Sequence, residues 1–509
     1  MSDVLMGQAY FLKFDPKLLA DMRPYPPLGS LLAAAMVREA GFSVSFFDAM
    51  LAESELELAA KLDAERPRIL VLFEDNFNYL SKMCLSRMRD AAIRMIGMAR
   101  ARSTTVIVGG SDASDEASTY LGAGASYVLL GEGEASLVDL LVALRAGEDV
   151  ALIPGVARNL DGAIVSTQRR PVMKDLDALP MPAWDLADLS RYRRIWKRRH
   201  GRYSVNVATT RGCPYHCNWC AKPIWGQRYN VRSPGRVAEE VELLVRTYGA
   251  EHLWFADDIL GLKPGWVARF AEELARRTVR VPFKALSRAD LLLREGELDA
   301  LRLAGAETIW MGAESGSQKV LDAMDKGTTV EQIREARHGL GRRGIRVGYF
   351  LQFGYPGETF EDVEATLRLV RETCPDEIGI SVSYPLPGTR FYESVREELG
   401  AKRNWVDSDD LDMMYEGPFT SAFYRRLHRA VHREHRARLV TRELESVLAA
   451  PTKARPSHLR LAAGAVARWA KIPGDRMALR RLAARKHGIG PLRSRMTFDE
   501  ARRPSEDSE

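Results

Sequence analysis

Residues 209–223 read TTRGCPYHCNWCAKP, and the three cysteines in this stretch, Cys213, Cys217 and Cys220, are spaced C-x3-C-x2-C. Three thiolates on one loop can hold three irons of a cubane 4Fe–4S cluster and leave the fourth iron open to a chelating small molecule. A structural zinc site is the competing use of clustered thiols, but it wants four ligands in two spaced pairs. No second Cys or His pair of that kind follows, and His216, inside the loop, is badly placed as a fourth ligand. Clustered but inert thiols are the other alternative. Of five cysteines in the chain three fall in this loop, which suits a metal site in a reducing compartment better than a disulfide framework. Cys84 and Cys374 are expected to be ordinary buried thiols.

Around this loop the pattern is regular. The apolar run SVNVATT (204–210) leads into it, and HLWFADD (252–258), VPFKALS (281–287), TIWMGAE (308–314), IRVGYFLQFG (345–354) and EIGISVSYP (377–385) follow, each separated by an amphipathic helical stretch. Six strand and helix units in succession predict a partial (β/α)6 barrel of the TIM type over residues 200–400, with chemistry at the carboxyl ends of its strands.

Residues 1–150 show an earlier alternation, with strand-like runs VLMGQAYFL, SVSFFDA, RILVLF, TTVIVGG and SYVLLGEGE between helices. This predicts an α/β, doubly wound (Rossmann-like) domain. Its ligand edge lies beyond the carboxyl ends of the strands, at the loops beginning at Asp48, Phe73, Gly109 and Gly131. Simple turn glycines are the plainer reading of GGSD and GEGE. Residues 151–199 read as a linker, with proline turns in DALPMPAWD. After residue 400 the strand pattern stops. Residues 401–450 are expected to be helical, and 451–509 to form a basic helical segment, broken at Pro473 and Gly474, that ends in a disordered acidic tail.

The net charge of +6 is unevenly spread: residues 451–496 carry twelve Lys or Arg against one Asp, which leaves residues 1–450 near −2. The main body therefore offers no basic surface for nucleic acid, and the tail has no aromatics interleaved with its charges beyond Trp469. No run approaches the roughly 18 apolar residues of a membrane span, and the start lacks a signal-peptide layout, so a cytoplasmic location is expected. The basic segment is expected to dock on the barrel or to make a peripheral contact with acidic lipid headgroups.

The cysteine loop and the strands after it resemble the radical SAM superfamily, in which such a cluster cleaves S-adenosylmethionine (SAM) to a 5′-deoxyadenosyl radical. The resemblance implies that Cys213, Cys217 and Cys220 are the cluster ligands. It implies that Asp257 and Asp258 replace the usual GGE-type segment receiving the methionyl amine. It also sets Arg288 toward the methionyl carboxylate and Glu314 toward the ribose or amine. FGYPGET (353–359) resembles the adenine-side loop, where Gly354, Pro356 and Gly357 let the backbone approach the base. Structural ion pairs at the strand ends are the plainer alternative for the charged residues.

A doubly wound domain ahead of such a barrel resembles the cobalamin-dependent branch. Pro26, Pro27, Leu28 and Gly29 look like its first loop, and GGSDAS (Gly109, Gly110) and LLGEGE (Gly131, Glu132) like later strand ends; Ser111 and Asp112 stand in place of that branch's usual Pro-His. Residues 1–199 contain no histidine, so a bound cobalamin should lack a histidine ligand from this domain. Such cobalt is more easily reduced to nucleophilic Co(I). The loop Phe73 to Asn78 is expected at the lower corrin face; a sheet that binds no cofactor is the alternative. Residues 384–435 are similar to the anaerobic magnesium-protoporphyrin IX monomethyl ester cyclase group. Within them Asp407, Asp409 and Asp410 read as caps and solvated charges.

The implied function is a cobalamin-dependent radical SAM enzyme acting on an unactivated C–H of a small molecule, as a C-methyltransferase using two SAM per turnover. Oxidative cyclisation is the second enzymatic reading, and a cobalamin- or redox-sensing binding protein the non-enzymatic one. The enzyme readings imply a flavodoxin- or ferredoxin-type electron donor and no nucleic-acid partner.

Overall fold

A computed structural model describes residues 2–484 apart from 79, 80, 82, 84, 221–223, 400–404, 407–410, 451, 453 and 454. Cys84, Asp407, Asp409, Asp410 and the acidic tail lie outside the described residues. The chain forms two compact units: Met1–Pro214 with Lys222–Ala285 and Asn404–Asp410, and Tyr215–Ala221 with Leu286–Arg403 and Leu411–Glu509.

The first unit is built on a seven-stranded sheet. Strands β1 (Val4–Gly7), β2 (Val44–Phe47), β3 (Ile69–Phe73), β4 (Thr105–Gly109) and β5 (Tyr127–Leu129) run parallel. Strands β6 (Val156–Leu160) and β7 (Ala163–Ser166) add an antiparallel edge, giving the order β2-β1-β3-β4-β5-β6-β7. The central strands read as unbroken apolar runs because helices cover both faces; Leu70, Leu72, Val106 and Val128 share one core with Leu58, Ala91, Met95 and Ile96. The hairpin β6–β7 lies inside the stretch that reads as a linker. Asp161 and Gly162 both take positive φ (51° and 88°), the two-residue Asp-Gly turn that a right-twisted hairpin favours.

The same unit holds β8 (Ser204–Val207), a short antiparallel ladder of β9 (Thr210–Arg211) with β10 (Asn230–Val231), and β11 (His252–Phe255), which pairs parallel with β8 and with β12 (Phe283–Ser287). The boundary between the units falls within β12, after Ala285. In the second unit β13 (Ala306–Glu314), β14 (Arg346–Phe353) and β15 (Glu377–Val382) are parallel neighbours. All six strands expected over residues 200–400 form, in the expected α/β alternation. Capping boxes at Thr329/Gln332 and Thr359/Asp362 start the helices Val330–Arg342 and Phe360–Thr373.

Two long helices, Ser421–Ala449 and Ser457–Ala483, pack antiparallel in the second unit. The expected break at Pro473 and Gly474 is absent; the helix runs through both residues. An internal proline costs about 3 kcal/mol, and the companion helix offsets it. Ile472 and Leu479 are buried on either side, and Asp475, 2 % exposed, pairs with Arg426 and Arg433. Cys374 is half-buried rather than buried, at a left-handed helix end with φ 41°. Among the described residues no helix is long and apolar enough to cross a membrane.

Candidate active site

The strand end that leads into the cysteine loop is held by a buried carboxylate. Asp257, at the end of β11, accepts from the backbone N–H of Thr209 and Thr210 (both 2.7 Å) and from their hydroxyls (2.7 and 3.0 Å). Burial pushes its carboxyl up to about 6, and these four hydrogen bonds pull the other way. Asp257, expected at a methionyl amine, has both oxygens engaged in fixing Thr209–Thr210; Asp258 is exposed.

Arg211 follows at once, 2 % exposed. Its guanidinium donates to Glu132 (3.1 Å) and Glu134 (2.8 Å) of the GEGE turn. Phe77 and Trp225 lie 5.9 Å from it on their ring faces. The second oxygen of Glu132 accepts from the N–H of Met173 at 2.6 Å. Glu132 thus holds protein groups, and Arg211 ties the fifth strand end of the N-terminal sheet to the start of the cysteine loop. Gly212 takes φ 80°, and a Cβ there would meet the Arg228 carbonyl at 2.3 Å, so the chain can pass into Cys213 only with glycine.

The other N-terminal candidates gather at the carboxyl edge of that sheet. The Pro26 carbonyl accepts from Asn206 of β8 (3.0 Å), and Gly29 donates to Asp75 (2.9 Å), where a Cβ would crowd both Asp75 and Asn76. Phe73 is buried, its ring close to the positions a Cβ would take on Gly109 and Gly133. Gly110, at φ 146°, leaves room for Glu74, and Gly131 donates to Ser114. Asp112 is bound by Arg89 and Tyr120. Asp48 accepts from the Tyr192 hydroxyl. In the loop after Phe73 the side-chain oxygen of Asn76 is buried without a partner.

In the second unit the rest of the cysteine loop meets a fixed positive charge. Arg288 spans Asp290 (2.9 Å) and the Lys326 carbonyl (2.8 Å), lies 3.5 Å over the Tyr215 ring, and brings Nη1 to 3.9 Å from Cys217 Sγ. Asn218 donates to the Ala323 carbonyl and accepts from the Tyr355 hydroxyl. Its backbone N–H donates to Met324 and its carbonyl accepts from Phe391, which pins the loop by four bonds. Glu314, at the end of β13, takes the left-handed φ of 55°, a strained position for a non-glycine residue. Its carboxylate pairs with buried Lys326 at 2.8 Å, and Gly312 leaves space for that pair. Burial works against the charge on Lys326, but Glu314 outweighs it and the amine is raised. Lys326 has no signature in the sequence: it is one lysine in a polar turn.

Gly354, at φ 83°, donates to Glu358 (2.7 Å) and accepts from the Tyr415 hydroxyl; a Cβ there would lie 3.1 Å from the Tyr424 hydroxyl. Pro356 is buried beside it. Glu358 Oε1 and the Tyr424 hydroxyl are buried without partners. Burial pushes the Glu358 carboxyl up to about 8. Among the described residues no three His, Cys, Asp or Glu side chains are drawn together as a metal site.

Residues 207–370 match the model of the radical SAM superfamily. The chain carries a radical SAM domain. The domain is the machinery of a superfamily of enzymes, and it spans β8 to the helix after the FGYPGET loop. Over 288 residues the chain is 29% identical to an uncharacterized methyltransferase of Pyrococcus horikoshii, covering 56% of this chain and 61% of that relative. It is 30% identical over 281 residues to the anaerobic magnesium-protoporphyrin IX monomethyl ester cyclase of Rubrivivax gelatinosus, covering 54% and 49%. The chain thus spans about half to three-fifths of the length of these two relatives. Its fold beyond the radical SAM domain is similar to the solved methyltransferase TsrM of Kitasatospora setae, with cobalamin and a [4Fe-4S] cluster bound. There the TM-score is 0.62, at 21% identity over 75% of each chain.

Proposed function

We propose that this protein is a cobalamin-dependent radical SAM C-methyltransferase acting on an unactivated C–H of a small molecule. The observation that carries the reading is the loop of Cys213, Cys217 and Cys220, which follows β8 in a radical SAM domain and meets Arg288 at Cys217. The donor set suits a cluster: three thiols within eight residues, beside a guanidinium that balances thiolate charge. Closing the thiolates around iron is then part of binding, as is usual when metal organises its own site. For cobalamin, the fit lies in the orphaned Asn76 oxygen, the positive-φ Gly110 and Gly131, and the absence of histidine before residue 200.

When bound, the cluster supplies the electron that cleaves SAM, and cobalamin supplies the methyl group. The chain's own work is positioning. Asp257 holds the strand end before Cys213, Asn218 holds the loop between Cys217 and Cys220, and Gly354, tied to Glu358 and Tyr415, holds the turn of the FGYPGET loop on the side where the adenine of SAM would lie. The Glu314–Lys326 pair keeps both charges available at the β13 end without leaving either unpaired. A reduced flavodoxin or ferredoxin in the cytoplasm would be the electron source, and residues 451–496 a peripheral membrane contact.

The similarity to the Rubrivivax gelatinosus cyclase favours oxidative cyclisation as the second reading. Anaerobic reconstitution with iron, sulfide and cobalamin tests both. Iron–sulfur absorption, bound cobalamin and 5′-deoxyadenosine release are expected, all but cobalamin binding lost in a Cys213, Cys217, Cys220 to Ala variant. A product heavier by one methyl group supports methylation, and one carrying added oxygen supports the cyclase reading. A cluster that survives the triple substitution would sink both.

A further inference from the structure

The helix Ser457–Ala483 is apolar on two opposite faces, and among the described residues only one of them has a partner. Ala465, Ile472 and Leu479 are buried, with Asp475 on the same side paired to Arg426 and Arg433 of the companion helix. On the opposite side Leu459, Ala463, Val466, Ala470, Pro473 and Met477 recur at alternating spacings of four and three, one stripe along the helix. Leu459 is 78% exposed, Val466 69% and Met477 53%. The stripe is about 27 Å long at 1.5 Å per residue.

The charges flanking the stripe are of one sign. Arg460 and Lys471 lie on one side and Arg480 on the other, with Arg481 at the end of the stripe, all exposed; Arg476, beside Arg480, is already paired with Glu434 of the companion helix. The single acid of the helix, Asp475, is turned inward. On the companion helix the nearby acids are occupied: Glu434 by Arg371, Arg438 and Arg476, and Glu443 faces His458 at 3.6 Å. Trp469, 36% exposed, stands at the margin with its ring N–H on Thr441.

We propose that this face docks on an anionic lipid surface. An apolar stripe between rows of arginine and lysine buries its methyl groups at the acyl boundary and sets its cations among phosphate headgroups, with a tryptophan at the interface level. A second copy of the helix fits worse, because the flanks that would meet across such a seam are cationic and the helix's one acid, Asp475, is buried and already paired. Nucleic acid would leave the apolar stripe in water. The inference rests on the membrane contact proposed above and names its face and its partner; it does not depend on the reaction assigned to the radical SAM domain.

The test is co-sedimentation of the full chain with vesicles of phosphatidylcholine alone or with about a third phosphatidylglycerol. Binding to the anionic vesicles is expected, weakening as salt rises, with at least tenfold less on phosphatidylcholine. The combination Leu459→Asp, Val466→Asp, Met477→Asp should weaken it at least tenfold, and so should Arg460→Gln, Lys471→Gln, Arg481→Gln, with unchanged far-ultraviolet dichroism. No binding to anionic vesicles overturns the proposal. So does binding that neither combination weakens, a self-association abolished by Val466→Asp, or a salt-dependent shift of DNA without vesicle binding. Vesicle binding is read without turnover, so its failure would leave the proposed reaction standing, and failure of the reaction would leave the vesicle result standing.

Discussion

Asp257 and Glu358 are both buried carboxyl groups beside candidate site loops, one in each unit, yet their surroundings treat them differently. Asp257 receives four hydrogen bonds from Thr209 and Thr210. Glu358 receives one, from Gly354, and its other oxygen has no partner. Burial raises both, but Asp257 only to about 6 and Glu358 to about 8. At neutral pH the first is charged and the second largely protonated. The number of donors, more than the depth of burial, decides which acid keeps its charge.

The largest effect that would break this comparison is at Glu358. Its ordinary value is 4.5 and its folded value about 8. Between these the folded chain keeps a proton that the unfolded chain has lost. Stability is therefore fully present below 4.5 and falls as pH rises to about 8, by roughly 5 kcal/mol in all. Glu358→Gln should flatten that slope when unfolding midpoints are compared across the window. An unchanged slope would mean that Glu358 is already ionised at neutral pH.

Glu132 and Glu134 show a third treatment of buried acids, a counter-charge. Arg211 serves both, and removing it leaves two carboxylates facing each other with no cation. Arg211→Met should cost about 3–5 kcal/mol in chemical denaturation. Adding Glu132→Gln and Glu134→Gln should recover most of the loss, because the stranded charges are then gone. If the triple variant is no more stable than Arg211→Met, Arg211 acts by packing against Phe77 and Trp225 and not by charge.

These contrasts explain which parts of the molecule were legible in its sequence. Most of the five N-terminal strands and of the six around the cysteine loop are buried runs, β15 being only half-buried, and an apolar run is visible without knowing its neighbours. The hairpin β6–β7 leaves no core pattern in the sequence because Ile164 and Val165 are 48% and 39% exposed; only Asp161-Gly162 marks its turn. The helix through Pro473 depends on Asp475 meeting Arg426 and Arg433, a contact between residues far apart in sequence. The cysteines announce themselves by spacing, and Arg288, Glu314 and Gly354 by position at strand ends. Lys326, Arg211 and the hydroxyls of Thr209 and Thr210 have roles set by distant partners, and no local pattern carries them. Sequence resemblance gave Asp257 a ligand to bind; folding gives it a strand end to hold.

The smallest effect tests that last assignment most directly. The Thr209 hydroxyl donates to Asp257 Oδ2 at 2.7 Å, and Thr209→Val removes it while keeping the shape of the side chain. A hydrogen bond to a charged group is worth about 1.5–3 kcal/mol. The loss should appear only where Asp257 is ionised, above its folded value of about 6, and shrink toward zero near pH 4. The direction follows from linkage: losing a donor to the carboxylate raises the folded pKa further, which extends the pH range over which stability falls. Asp257→Asn is the control. Its amide oxygen can accept the three bonds now made to Oδ1, and its amine can donate to the Thr209 hydroxyl, so the part of the pH dependence between 4 and 6 that comes from Asp257 should be gone, leaving that of Glu358. A Thr209→Val deficit of equal size at pH 4 and pH 8 would mean that the hydroxyl serves the packing of the strand end. In that case Asp257 would not be the group that fixes the entry to Cys213.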